Sequence, residues 1–142
     1  MHSIYNTYHP EGFSTVNGYL FTENMPELID FLKNAFYAEE LSRTVCSDNG
    51  DIANLILKIG ASCIMLSQAR GGFTGMSTSY YLYVNDVDAL FKRALEHGAS
   101  TVFEPADMEY GDRQGGVQDP AGNYWWISTR LKKMPYEKTA TA

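Results

Sequence analysis

Histidine, cysteine and clustered basic charge are all scarce in this chain, and each scarcity removes a class of function. Eleven Lys and Arg stand against seventeen Asp and Glu, for a net charge of −6. Nucleic-acid binding would call for clustered basic residues, so no nucleic-acid partner is expected. The acidic balance is compatible with a small cationic or neutral ligand. The two cysteines, Cys46 and Cys63, form no CxxC. Cys63 lies in the apolar run CIML, an ordinary place for a buried free thiol, and the pair would bridge only in an oxidising compartment. The three histidines, His2, His9 and His97, show no HxxxH spacing. His2 and His9 precede the first strand, and His97 stands near a helix C-terminus, where a cation complements the macrodipole. A His9–Glu11 pair would at most bind metal adventitiously. No apolar run approaches about 18 residues, so no membrane span is expected. The opening MHSIYNTYHPEG carries no apolar signal core. These absences read as a soluble, cytoplasmic protein. The glycine pairs Gly71-Gly72 and Gly115-Gly116 match neither GxGxxG nor Walker A, and no GxSxG marks a nucleophile.

What is there is an internal echo. Residues 19–32, YLFTENMPELIDFL, recur as YLYVNDVDALFKRA at 81–94, an offset of 62. At the same offset IGASCIMLS (59–67) falls on AGNYWWIST (121–129), placing Gly60 on Gly122 and Ile64 on Trp126. One supersecondary unit is used twice, and two copies can enclose a site that neither encloses alone. With 44% apolar, 13% aromatic and only 20% charged residues in 142, the chain has a core. It forms one domain, or two half-domains of roughly 60 residues that are marginal alone.

The pattern gives an N-terminal arm over 1–12 and a first strand over 13–22. A helix is capped by Asn24, with Glu27 reaching back as in a capping box. Its apolar stripe is Leu28, Ile29, Leu32, Ala35 and Phe36, and it ends near Phe36–Ala38. Strands follow over 41–45, 52–59 and 62–68. The first two are joined through Asp48-Asn49-Gly50, where Asn and Gly tolerate positive φ. Module 1 thus spans 13–68, and residues 69–78 link the copies. Module 2 spans 79–129. It has a strand over 79–84, a helix capped by Asp86 and closed by Gly98, a strand over 100–105, a loop over 106–113, a short strand over 115–119, a type I turn at Asp119–Asn123 and a last strand over 123–129. Residues 130–142 read as a loose polar tail. The fold class is α+β: two tandem βαβββ modules whose curved sheets surround a cleft, each with its helix on the outer face.

On IDFLKNAFYAEEL (29–41), LYVNDVDALFKRALEHGA (82–99) and YGDRQGGVQDPAGNYWWIST (110–129), the chain resembles the glyoxalase/bleomycin-resistance/extradiol-dioxygenase superfamily, the vicinal oxygen chelate proteins. It most resembles their small PhnB-like bacterial branch, over about residues 13–130. That superfamily holds isomerases, dioxygenases, thiol transferases and antibiotic-sequestering proteins. The resemblance implies metal ligands, usually His and Glu, on the first and last strand of each module. Those positions fall here on Asn17, on Ile64 or Met65, on Ser79 and on Trp126. Asn and Ser are weak neutral ligands, Ile and Trp do not ligate, and a Met thioether suits soft Cu(I). The expectation is therefore no metal and no cofactor.

Adjacent Trp125 and Trp126 face opposite sides of a strand, and the alignment turns Trp126 inward. Tyr19 and Tyr81 share the parity of Asn17 and Ser79, and Phe21 and Tyr83 continue the row. These aromatics either wall a ligand cleft or fill a core. Arg113 either grips a ligand carboxylate or phosphate or fixes its loop by pairing with an acid. General acid–base work would fall to Glu104, Asp107 or Glu109. The expected ligand-binding set is Asn17, Tyr19, Met65, Ser79, Tyr81, Arg113 and Trp126. The expected function is metal-free binding of an aromatic or partly apolar small molecule; the alternative is a lyase, isomerase or dioxygenase with a relocated metal site. A homodimer with sites completed across its interface is expected, because open sheet edges invite a two-fold partner.

Overall fold

In a computed structural model describing residues 1–142, each copy of the repeat builds one four-stranded sheet and one helix. The chain divides into two units, Met1–Met76 and Ser77–Ala142. The first unit opens with a single 3₁₀ turn, Ser3–Tyr5, followed by β1 (Tyr19–Thr22), α1 (Met25–Phe36), β2 (Glu39–Val45), β3 (Ile52–Ile59) and β4 (Ser62–Gln68). The second holds β5 (Ser79–Tyr83), α2 (Val87–Glu96), β6 (Ser100–Asp107), β7 (Asp112–Gln118) and β8 (Tyr124–Arg130). The sheet orders are β1-β4-β3-β2 and β5-β8-β7-β6. In each, the first strand runs parallel to the last and the remaining pairs are antiparallel. The fold is the anticipated pair of βαβββ modules.

The helices bury the stripes that the sequence spacing marks. Leu28, Leu32 and Ala35 of α1 are wholly buried, as is Ala94 of α2, with Val87 and Phe91 nearly so. Beneath them lie Leu20, Leu55, Leu57, Ile64 and Leu66 in the first unit, and Val117, Trp125 and Ile127 in the second. Side chains alternate along a strand, so Tyr19, Met65, Tyr81 and Trp126 occupy the sheet faces turned away from the helices, called the open faces below.

Five expectations need correction. The first strand starts at Tyr19, not residue 13, because Asn17 is spent on a local turn. Its Oδ1 accepts from the Ser14 N–H at 2.8 Å and its Nδ2 donates to the Ser14 carbonyl at 2.7 Å. Asn24 stands at the α1 N-cap but makes no side-chain cap bond; instead the Thr22 hydroxyl accepts from the Asn24 N–H at 3.1 Å. Asp86 does cap α2, accepting from the Ala89 N–H at 3.1 Å. Residues 106–113 are half strand rather than all loop: β6 runs to Asp107 and β7 starts at Asp112. The offset of 62 does not hold in the last strand. Tyr19 pairs with Met65 and Tyr81 with Trp126, so Met65, not Ile64, matches Trp126 at an offset of 61, and Ile64 matches buried Trp125. The cause is connections of different length: Gly116 follows Tyr81 two residues sooner than Ile56 follows Tyr19, and a longer β7–β8 turn restores one of the two. In the first unit Lys58 pairs with Cys63, whereas in the second Gln118 pairs with Tyr124, one residue further on. Finally, the C-terminal tail is tied down rather than loose as far as Tyr136, through the bonds of Arg130 to the Met134 and Pro135 carbonyls and of Tyr136 to Asp112.

Candidate functional site

The open face of the second sheet carries a row of aromatic rings over a glycine. Trp126 stacks on Phe103, with centroids 5.6 Å apart, and on Tyr124 at 6.1 Å. Its indole N–H donates to the Ser79 hydroxyl at 2.6 Å. The rings fit because Gly116, paired with Trp126 on β7, has no side chain. A Cβ there would stand 2.6 Å from a Phe103 ring carbon and 3.1 Å from Trp126. The glycine pair is thus a notch for aromatics, not a phosphate loop. Trp125 points the other way: it is 1% exposed, stacks on Tyr80 at 4.8 Å and donates its indole N–H to Asp119 at 2.7 Å. Asp119 also accepts from the Ala121 and Asn123 N–H groups, at 2.8 and 3.0 Å, so one carboxylate ties the β7–β8 turn to the core.

Next to the aromatic row lies a buried carboxylate that the sequence reading missed. Asp112 is fully buried. Its oxygens accept from the hydroxyls of Tyr81 and of Tyr136, the latter at 2.6 Å, and from Arg130 Nη1 at 3.1 Å. Burial alone would raise its carboxyl; the phenols of Tyr136 and Tyr81 and the Arg130 guanidinium outweigh this and hold it below its ordinary value. Tyr81 is pushed up to about 12 by burial and by the carboxylate it faces. Tyr136 is also raised, by burial and then by Asp112. The Tyr83 hydroxyl lies 2.6 Å from that of Tyr136. Arg130 lies 4.1 Å over the Tyr136 ring and donates to the carbonyls of Met134 and Pro135, at 3.0 and 3.1 Å. Alongside, Gln114 donates to the Ser128 hydroxyl and accepts from that of Tyr110, each at 2.7 Å. The sequence signal was present in DRQGGVQ, where Asp112, Gln114 and Gln118 alternate on one face. It was lost because the strand was started at residue 115.

The open face of the first sheet is plainer. Tyr19, Phe21 and Phe73 stack in a ladder with centroids 5.0 and 5.3 Å apart. Asn54 donates to the Tyr19 hydroxyl at 3.2 Å, and Met65 pairs with Ile56.

Of the expected binding set, the second sheet brings together Ser79, Tyr81 and Trp126, and the first brings together Tyr19 and Met65. Asn17 sits in its exposed turn. Arg113 is on the helix side, a correction to its proposed grip on a ligand. It forms a two-pronged pair with Asp88 of α2, both contacts 2.8 Å, and a third contact to Asp107 at 3.0 Å. Asp107 is committed to that pair. Cys46 and Cys63 are free thiols.

A superfamily metal does not fit the donors at the four implied positions. Asn17 is engaged with Ser14, the Ser79 hydroxyl with the Trp126 indole, and Met65 and Trp126 offer no hard donor. Elsewhere no group of three or more His, Cys, Asp or Glu converges to hold a metal ion. No helix is long and apolar enough to cross a membrane.

Comparison with known proteins agrees with this architecture. The family profile described as "Glyoxalase/Bleomycin resistance protein/Dioxygenase superfamily" matches residues 12–127. An uncharacterized protein of Mycobacterium bovis is 33% identical over 135 residues, covering 87% of this chain and 88% of that one. Among solved structures, TioX from Micromonospora sp. ML1 superposes with a TM-score of 0.67 at 25% identity, over 82% of this chain and 99% of its own. A PhnB protein from Bacillus cereus, described as a putative 3-demethylubiquinone-9 3-methyltransferase, superposes at 0.60 and 16% identity, over 80% and 98%; that likeness concerns the fold.

Proposed function

The chain belongs to the glyoxalase/bleomycin resistance protein/dioxygenase superfamily, and we propose that within it this protein binds a small aromatic or partly apolar molecule without a metal. The observation that carries this reading is Trp126. At a position the family resemblance reserves for a metal ligand, it presents an indole fixed by Ser79 and flanked by Phe103 and Tyr124. An indole held this way offers a planar stacking wall, and a ligand ring needs little more than a flat apolar surface and a few placed polar groups. The protein sequesters its ligand rather than transforming it. Two free thiols support a reducing, cytoplasmic setting, and the protein works as a homodimer.

The test is a tryptophan-fluorescence titration with a panel of planar aromatic antibiotics. Quenching is expected in the wild type and in Trp125→Phe, and is lost in Trp126→Ala. Quenching that survives Trp126→Ala would remove this wall. Calorimetry with Ni²⁺, Zn²⁺, Mn²⁺ and Mg²⁺ should show no tight binding; stoichiometric uptake that raises the melting temperature would overturn the metal-free reading. Sedimentation at micromolar concentration should show a dimer, and a monomer would count against the homodimer.

A further inference from the structure

The side chain of Tyr136 is held as a ligand would be. It belongs to a segment beyond the last strand, yet its phenol reaches a fully buried carboxylate on the open face of the second sheet. Three contacts read three features of a phenol. Asp112 accepts the hydroxyl proton at 2.6 Å. Since that proton is committed, Tyr83, 2.6 Å away, donates its own to the same oxygen. The Arg130 guanidinium covers the ring face at 4.1 Å, a cation–π contact. An aliphatic alcohol would lack the ring, an amine could not accept from Tyr83 once protonated, and toluene would lack the hydroxyl. A charge-assisted hydrogen bond to a buried carboxylate is among the stronger neutral-donor contacts available to a protein.

We infer that Asp112, Tyr83 and Arg130 form a phenol-recognising site, and that Tyr136 is its tethered occupant, which a hydroxylated aromatic ligand displaces. This deepens the reading of that face as a ligand wall, on which it rests for its setting, by naming the ligand class: an aromatic ring bearing a free hydroxyl. The tether makes the tail a competitor. A short linker supplies an effective concentration in the millimolar range, so a free phenol must outcompete Tyr136, and its apparent affinity falls by the fraction of time the site stands open.

The probe is p-cresol, the tyrosine side chain without its backbone, with toluene as the ring-only control. Calorimetry and thermal shift are measured on the wild type, on Tyr136→Ala, and on the chain ended after Lys133. The truncated chain serves if the substitution impairs folding. p-Cresol should bind Tyr136→Ala and the truncated chain at least tenfold more tightly than the wild type and raise their melting temperatures, while toluene does neither. Adding Asp112→Asn to Tyr136→Ala should abolish the gain. Equal binding to wild type and Tyr136→Ala, or binding to neither, would overturn the inference, as would a toluene effect equal to that of p-cresol. The two readings fail separately. Loss of Trp126 quenching by planar ligands, with p-cresol still binding Tyr136→Ala, removes the wall and keeps the phenol site; the reverse pattern does the opposite.

Discussion

The two sheets share strand order, register and helix placement, yet their open faces are chemically unlike. Across the middle of the first runs Tyr19–Met65–Ile56, and across the second Tyr81–Trp126–Gly116. Bulk has moved from one strand to its neighbour: a Met beside an Ile in one copy, a Trp beside a Gly in the other. Four residues before Ile56 stands Ile52; four before Gly116 stands Asp112, with its tyrosines and arginine. The helix sides are paired more subtly. In the first unit Glu40 sits between Lys33 of α1 and Arg43, at 2.9 and 2.8 Å. In the second, Arg113 sits between Asp88 of α2 and Asp107, at 2.8 and 3.0 Å. The same helix-to-sheet tie is made with the charges reversed. A duplicated fold therefore constrains which positions face the helix and how wide each row is, but not which chemistry fills it. The helix-side core stayed apolar, although Trp125 stands where the first copy has Ile64, and the open face diverged in its polar chemistry.

The largest expected effect is in that core. Trp125 matches Ile64 but also holds the turn through Asp119, so Trp125→Ala removes a large buried side chain and leaves part of a buried carboxylate unpaired. A loss of about 3–5 kcal/mol is expected, against roughly 2–3 kcal/mol for Ile64→Ala, both read by urea denaturation. Equal losses would show that the indole–Asp119 bond adds nothing to the comparison. Next comes Asp112→Asn. It keeps the shape but removes the charge that Arg130, Tyr81 and Tyr136 address, for about 2–3 kcal/mol at neutral pH. Because the folded carboxyl lies below its ordinary value of 3.8, its contribution is present above about pH 4 and fades as the pH falls further. The gap between wild type and variant should narrow in acid. A gap that widened would mean the carboxyl is protonated in the native state.

How much of this was legible follows from the same comparison. Helix stripes, the Asp86 cap and β3 and β4 could be read because each rests on local spacing: period 3.6 for Leu28, Leu32 and Ala35, period 2 for the strands. The fold could be read because the repeat exposes it. The site was less legible for two physical reasons. Strand parity depends on register, and register hangs on the lengths of the connections, so a second copy two residues shorter before β7 and one residue longer in the β7–β8 turn moves the match of Trp126 from Ile64 to Met65. The partners of Asp112 come from β5, from the end of β8 and from a tail with no periodic signal; nothing local in the sequence announces that Tyr136 returns to the sheet. Arg113 illustrates the same limit: its type suits a ligand, but its parity sends it to Asp88.

A further pair of substitutions tests whether the exchange of bulk between the copies is real compensation. Gly116→Ile should cost about 1–3 kcal/mol, because Phe103 and Trp126 must yield to the new side chain. Combining it with Trp126→Met rebuilds in the second sheet the Met-beside-Ile arrangement of the first, and should recover most of that loss. The two substitutions are in contact, so their effects should not add. Strict additivity in a thermal or urea melt would show that the rows are filled independently and that the likeness of the two faces is only positional.

The smallest expected effect concerns the reversed charge ties. Glu40 is held down at about 2, against its ordinary 4.5, first by the hydrogen bond from Arg43 and then by that from Lys33. The folded value lies below the unfolded one, so Glu40 stabilises the fold above about pH 4.5, and that contribution is lost as the pH falls through about 2. Glu40 and its partners are partly exposed, and such pairs are worth at most about 1 kcal/mol and weaken with salt. Glu40→Gln should therefore lower stability slightly at pH 7, and the difference from wild type should vanish near pH 2 or in molar salt. The mirrored cluster predicts a matching result for Arg113→Gln at pH 7, but with opposite bookkeeping in acid. There the loss on acidification belongs to the partner Asp88, whose carboxyl the hydrogen bond from Arg113 holds below its ordinary value. If Arg113→Gln also abolished aromatic-ligand quenching of Trp126, the arginine would serve the open face after all, and the helix-side tie would not be its only role.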